Sequence, residues 1–306
     1  MQLIFLGTGA GAPSLQRNAT AIVLIVSKHG DTENYWLFDC GESTQNQFMR
    51  SSLKPGKLQK IFITHLHGDH IFGLPGLLTS RSMAKILKPI TIYGPKGIRL
   101  FIETALRISG SFTTFPLEII EIKTGLVFDD GEFRITAWPM NHVVECYGYR
   151  IEQHNKIGCL DAIRLKAEGI PCGPWYRQLK EGKCIQLEDG RKINGLEYLS
   201  PSIKGKILAI FGDTAPTSIA MQLAANADVI VHETTLEASL MKKANQRGHS
   251  TTVQAAEVAK QVGAVRMIGT HFSSRYLFQD QERLLAECRT VFKDTYLAFD
   301  FAVFKI

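Results

Sequence analysis

The chain has 306 residues, with 35 Lys and Arg against 29 Asp and Glu, and a formal net charge of +6. That length buries a substantial core, as one large α/β domain or two tightly joined halves, and the mild positive charge permits a polyanionic substrate without demanding one. No basic start and long apolar run mark a secretory signal, and no stretch reaches the length of a membrane span, so a secreted or membrane-embedded protein is not expected. Six cysteines (Cys40, Cys146, Cys159, Cys172, Cys184 and Cys288) are scattered without a Cys-x-x-Cys pair, which suggests reduced thiols in a cytoplasm.

Apolar runs at residues 3–6, 21–26 and 35–38 read as three strands separated by short turns, a meander. Residues 60–63 form a fourth, followed after Thr64-His65-Leu66-His67-Gly68-Asp69-His70 by an apolar helix whose start is shaped by Gly73-Leu74-Pro75. Strand and helix patterns then alternate: a strand at 90–93, a helix at about 97–108, a strand at 133–137. After an irregular middle the pattern returns, with strands at 206–211, 229–231 and 267–269. Helices are expected near 219–225, 252–262 and 281–292, and a last strand at 297–299 or 302–304. Strands that give way to alternating helices and strands, twice over, imply a layered sandwich with sheets inside and helices outside.

The exception is 152–204, rich in Gly, Pro and charge and too long for an ordinary connection; it reads as a functional insertion or protruding arm. Arg164, Lys166, Arg177, Lys180, Lys183, Arg191 and Lys192 interleave there with Trp175 and Tyr176. That mixture suits phosphate contact and base stacking, although Glu168, Glu181, Glu188 and Asp189 dilute it.

Three imidazoles and a carboxylate within residues 65–70 are hard to explain by folding, because each buried imidazole must find a partner. His and Asp suit zinc, and alternation along extended chain sends His65 and His67 the same way. Three later segments end apolar strands with further donors: His142, Asp213 and His271. His65, His67 and His142 are expected to hold one ion and Asp69, His70 and His271 another, with Asp213 bridging; paired ions clamp the attacking and leaving oxygens of a displacement. His29 and His154 lack such context and read as surface residues.

His65-x-His67-x-Asp69-His70, His142, Asp213 and His271 resemble the metallo-β-lactamase superfamily. The likeness narrows to the ribonuclease Z family through Leu6-Gly7-Thr8-Gly9-Ala10-Gly11-Ala12-Pro13, Phe38-Asp39-Cys40-Gly41-Glu42, His232-Glu233-Thr234-Thr235, Gly248-His249-Ser250-Thr251 and Thr270-His271-Phe272-Ser273-Ser274-Arg275. This resemblance implies an αββα four-layer sandwich, a homodimer, two zinc ions per subunit and a precursor tRNA substrate. By the same resemblance 152–204 is the arm that grips tRNA, through Gly169, Pro171, Gly173 and Pro174 together with the basic Arg177, Lys180 and Lys183. Pro13-Ser14-Leu15-Gln16-Arg17-Asn18 is similar to a family loop near the tRNA 3′ end, which implies substrate contact by Arg17; Gln16 stands where that loop has lysine.

The expected chemistry is in-line hydrolysis of a phosphodiester, leaving a tRNA 3′-hydroxyl and a trailer 5′-phosphate. Asp69 would orient or deprotonate the nucleophile while also binding metal, and His249, held by Glu233, would protonate the leaving ribose oxygen or stabilise its charge. Asp39 is expected to brace the ligand loops, and Ser273 and Arg275 to contact phosphate. Competing readings are trimming from the RNA 3′ end, a lactonase, thioesterase or small phosphodiesterase on the same fold, and a non-catalytic RNA binder; the intact donor set argues against the last.

Overall fold

The computed structural model describes residues 1–28 and 32–306. The expected surface position of His29 therefore lies outside the described residues, whereas His154 is half-buried. Two compact units divide the chain, one of residues 1–151 and 207–306 and the other of residues 152–206.

The larger unit is built on two seven-stranded sheets. One runs, from edge to edge, Val303–Lys305, Gln2–Gly7, Ala21–Lys28, Thr32–Phe38, Leu58–Phe62, Ile90–Gly94 and Leu117–Glu121. The other runs Thr295–Leu297, Arg266–Thr270, Val229–Glu233, Ile207–Ile210, Tyr147–Gln153, Phe133–Pro139 and Gly125–Asp129. The first sheet opens as the expected antiparallel meander, then becomes parallel from Thr32–Phe38 onward. Each parallel step needs a crossover, and the helices Thr44–Arg50, Leu74–Met83, Ile98–Ile108, Ala220–Leu223, Thr252–Gln261 and Gln281–Arg289 lie in those connections.

Strand alternation explains the layering. Leu3, Phe5, Leu24, Trp36, Phe38 and Phe62 meet Phe133, Tyr149, Ile151, Leu208, Val231 and Ile268 of the other sheet in one buried layer. Their neighbours Ile4, Leu6, Val23, Leu37 and Ile61 turn outward onto Phe48, Leu74, Leu77, Ile98 and Ile102 of helices. On the far side Ala209, Ile230 and Met267 pack on Leu223, Ala255, Ala256, Leu284 and Cys288. Three apolar layers between four tiers make the αββα sandwich.

Several elements differ from expectation. The strands Leu117–Glu121 and Tyr147–Gln153, broken by charged residues, and the short strand Gly125–Asp129 were not expected from sequence. Strands form near both candidate positions, in different sheets: Thr295–Leu297, which shares only Leu297 with the expected 297–299, beside Arg266–Thr270, and Val303–Lys305 beside Gln2–Gly7. The helix near 219–225 shrinks to the single turn Ala220–Leu223, with Ala224 already out of helical conformation at φ −108°.

Residues 152–206 contain the short helices Ala162–Ala167 and Trp175–Lys180 and a hairpin pairing Cys184–Gln186 with Lys192–Asn194. They enclose a small apolar centre of Leu165, Ile170, Leu179, Ile185, Ile193 and Tyr198. No helix among the described residues is long and apolar enough to cross a membrane.

Candidate metal centre and active site

Five strand ends of the larger unit deliver the site. The Thr32–Phe38 strand ends at Asp39, Leu58–Phe62 leads to the His65–His70 loop, and Phe133–Pro139 leads to His142. Ile207–Ile210 leads to Asp213, and Arg266–Thr270 to His271. Parallel strands release their loops together at their carboxyl ends, which is why donors 200 residues apart converge.

Asp39 braces the cluster as expected. Its carboxylate accepts Thr64 N at 2.7 Å, Thr64 Oγ1 at 2.9 Å and His70 Nδ1 at 2.7 Å. Asp39 and His271 hold left-handed φ values of 57° and 59°, conformations that cost a non-glycine residue ~1–3 kcal/mol and persist only where neighbours impose them.

His65, His67 and His142 form one triad, in which His67 Nδ1 lies 3.0 Å from His65 Nε2 and 3.2 Å from His142 Nε2. Asp69, His70 and His271 form a second, with Asp69 Oδ2 3.4 Å from both His70 Nε2 and His271 Nε2. Asp213 Oδ2 faces both triads: it stands 3.7 Å from His65 Nε2, 3.5 Å from His70 Nε2 and 3.4 Å from His271 Nε2.

The donors fit metal ions. His70 Nε2 is buried and lacks a hydrogen-bond partner among the described residues, an arrangement proteins avoid unless a ligand completes it. Burial, reinforced by the neighbouring His70, holds His65 well below the ordinary imidazole value, leaving the neutral form that binds metal. Burial opposes ionisation of Asp213 and Asp69, yet His271 and His70 hold both carboxyls well below the carboxylate range. His, Asp and a shared carboxylate suit zinc and its borderline neighbours.

Beside the cluster, Glu233 is fully buried and uses both oxygens. Oε1 accepts Thr214 N at 3.1 Å and Ser250 N at 3.0 Å and meets His249 Nδ1 at 3.1 Å. Oε2 accepts Thr235 N at 3.1 Å and Thr235 Oγ1 at 2.5 Å, and that hydroxyl lies 3.0 Å from His271 Nδ1. Burial would push His249 down, but the Glu233 carboxylate raises it to about 9. With Nδ1 committed to Glu233, Nε2 is left for a substrate.

A cavity of about 230 Å³ opens on His67, Asp69, Asp213, His249 and His271, and Ser273 and Arg275 line it. Arg275 Nε donates to Ser273 Oγ at 3.3 Å. Arg247 also lines the cavity and was not singled out from sequence, where it reads as one more exposed cation on a polar helix. Gly11 was missed for a different reason: its backbone N–H donates to Asp69 Oδ2 at 2.7 Å, an interaction no side-chain pattern announces.

Arg17 must be corrected. It was expected to contact substrate, but it is 3% exposed and its Nη1 donates inward to Thr8 Oγ1 at 2.8 Å and Ala298 O at 3.1 Å. Its guanidinium sits over the Phe272 ring, 4.3 Å from the centroid. The side chain turns inward, away from the cavity, although its Nε finds no hydrogen-bond partner among the described residues.

The remaining candidates lie in the 152–206 unit. Gly169 has a φ of 73°, the Pro171 carbonyl accepts Trp175 Nε1 at 3.0 Å, and the Trp175 ring occupies the space where a Cβ at Gly173 would project. Pro174 precedes the Trp175–Lys180 helix. Arg177 and Lys183 flank Glu181 at 3.5 and 2.7 Å, and Lys180 is exposed.

Comparison with known proteins agrees with this geometry. The metallo-β-lactamase-fold protein YhfI of Bacillus subtilis superposes with a TM-score of 0.68 at 18% identity, covering 99% of this chain and 98% of that one, which shows the fold. Human tRNase Z, short form, superposes with a TM-score of 0.70 at 33% identity, covering 100% of this chain and 99% of that one. Ribonuclease BN of Erwinia tasmaniensis is 60% identical over 304 residues, 99% of each chain. The chain belongs to the ribonuclease BN/ribonuclease Z family. A family model described as Anti-Pycsar protein Apyc1 also matches residues 1–157. That stretch includes His65 to His142 and ends before Asp213.

Proposed function

We propose that this ribonuclease Z family member hydrolyses precursor tRNA at a single phosphodiester 3′ of the mature sequence, leaving a tRNA 3′-hydroxyl and a trailer 5′-phosphate. One observation carries the reading: two donor triads share the Asp213 carboxylate next to a histidine held by a buried glutamate.

His65, His67 and His142 would hold one ion, Asp69, His70 and His271 the other, and Asp213 both; we propose zinc, two per subunit. Ions held there supply Lewis acidity and lower the pKa of water toward neutrality. Asp69, whose Oδ2 accepts Gly11 N and faces His70 and His271, would bind metal while its carboxylate orients or deprotonates the attacking water. Arg275 and Ser273, at the cavity wall, bind non-bridging oxygens of the phosphate. His249, kept protonated near neutral pH by Glu233, donates from Nε2 to the departing ribose oxygen. Glu233 fixes the ring and, through Thr235, also the His271 ring.

The 152–206 unit would supply the tRNA grip, supported by a groove that joins Gly169, Pro171, Trp175 and Arg191. An aromatic face beside a guanidinium suits a ribose-phosphate chain. A homodimer and a cytoplasmic location follow from the family likeness and complete the proposal.

Cleavage of an end-labelled precursor tRNA by metal-loaded protein tests it. A single discrete cut is expected, with a 3′-hydroxyl on the tRNA. A ladder from the 3′ end would replace it with exonucleolytic trimming, and rapid ester or lactone hydrolysis without RNA cleavage would overturn it.

A further inference from the structure

We infer that Arg17, Thr8 and Asp300 form a buried positioning network that sets the Asp69 and His271 half of the donor cluster; the inference rests on the two-ion reading above. Thr8 is fully buried and Arg17 nearly so. Arg17 Nη1 donates to Thr8 Oγ1 at 2.8 Å, and Thr8 Oγ1 donates onward to Asp300 Oδ1 at 2.8 Å. Asp300 Oδ2 accepts Asn18 N at 2.7 Å and Gln47 Nε2 at 3.0 Å. A hydroxyl that takes a bond from a cation and gives one to a carboxylate has its single proton assigned, and both bonds are charge-assisted. The relay therefore has one arrangement.

What it holds is the backbone from Thr8 to Gly11. Thr8 O accepts Phe272 N at 2.8 Å, and Gly9 and Ala10 pair in parallel with Phe272 and Ser273. Arg17 covers the Phe272 ring from the other side. His271 immediately precedes this pairing with its left-handed φ of 59°, so the strained residue is clamped on its C-terminal side by the stretch that Thr8 begins. Three residues after Thr8, Gly11 N donates to Asp69 Oδ2, the oxygen that faces His70 and His271. One short segment thus grips two donors of one triad.

The other triad is held differently. Thr64 Oγ1 meets His65 Nδ1 at 2.9 Å and the Gly248 carbonyl meets His142 Nδ1 at 2.8 Å, neither of which passes through Thr8. Loss of the network is therefore expected to disturb the two sites unequally, which general loosening of the fold would not do.

Thr8→Val keeps the side-chain shape and removes the relay hydroxyl. Titration of metal-free full-length protein with zinc is expected to give two equivalents for the parent. For Thr8→Val, one equivalent stays tight while the other weakens roughly 10–100-fold, the usual effect of losing a group that orients a ligand. Turnover of precursor tRNA is expected to fall with KM unchanged, and Thr8→Ser to restore the second equivalent. Equal weakening of both equivalents, or no weakening, overturns the inference. If Thr8→Val does not fold, Asp300→Asn and Arg17→Lys decide by the same zinc titration. A parent that binds only one equivalent would instead refute the two-ion reading.

Discussion

His249 differs from the other histidines of the cavity in what holds it. Its Nδ1 meets a buried carboxylate that also ties down the Asp213 and Ser250 loops, so the ring is oriented by Glu233. Nδ1 stands 3.1 Å from Glu233 Oε1 and 3.8 Å from Asp213 Oδ2, and we propose that Nε2 serves as a proton donor and not as a metal ligand. His249→Ala is therefore expected to keep its bound metal while turnover falls ~10²–10⁴-fold, read by metal content beside single-turnover kinetics. Metal loss in that variant would make His249 a ligand. Gly248 makes the opposite kind of prediction. It has a φ of 74°, and a Cβ there would stand 2.6 Å from His142 Nδ1. Gly248→Ala should strain the backbone by ~1 kcal/mol or more and push His142 off its triad, so metal titration should lose affinity at the His65–His67–His142 side.

At the scale of elements, the helix Thr252–Gln261 begins three residues after His249 and is started by a capping box: Gln254 N donates to Thr251 Oγ1 and Thr251 N to Gln254 Oε1. The cap fixes where the helix starts and so where the His249–Ser250 turn leaves it. Thr251→Ala is expected to cost ~1 kcal/mol in denaturant unfolding. It should also lower turnover more than it raises KM if the displaced turn carries the proposed acid and not the substrate contacts. The strands act at this scale too. Their parallel order brings Asp39, the His65–His70 loop, Asp213 and His271 to one edge, whereas an antiparallel arrangement would send alternate loops to opposite ends.

For the whole molecule, ions that bind only the folded state add to its stability by mass action. Chelation should lower the Tm, and readdition of zinc should restore it with a dependence on free metal. The basic residues of the 152–206 unit lead to a separate outcome. Replacing Arg177, Lys180 and Lys183 together by Ala is expected to raise KM for precursor tRNA and flatten its salt dependence, each lost phosphate contact reducing the slope by about 1. Hydrolysis of a small phosphodiester should be unchanged. Equal loss on both substrates would remove the unit from RNA binding.

The sequence by itself determined the donor set and most of the strands that carry it. The His65–His70 cluster is local, and His142, Asp213 and His271 each follow an apolar run, so type and position were enough to gather them, whereas Glu233 and His249 came from the family resemblance. It misread Arg17, because a cation in a polar loop looks the same whether it faces solvent or turns inward onto Thr8 and Phe272. It was silent on Gly11 and on the Thr8–Asp300 link, which joins residues 292 positions apart. Backbone donors and long-range hydrogen bonds leave no periodic trace. Only the tertiary structure decided how Asp69 and His271 are held, since that depends on which distant strands pack edge to edge.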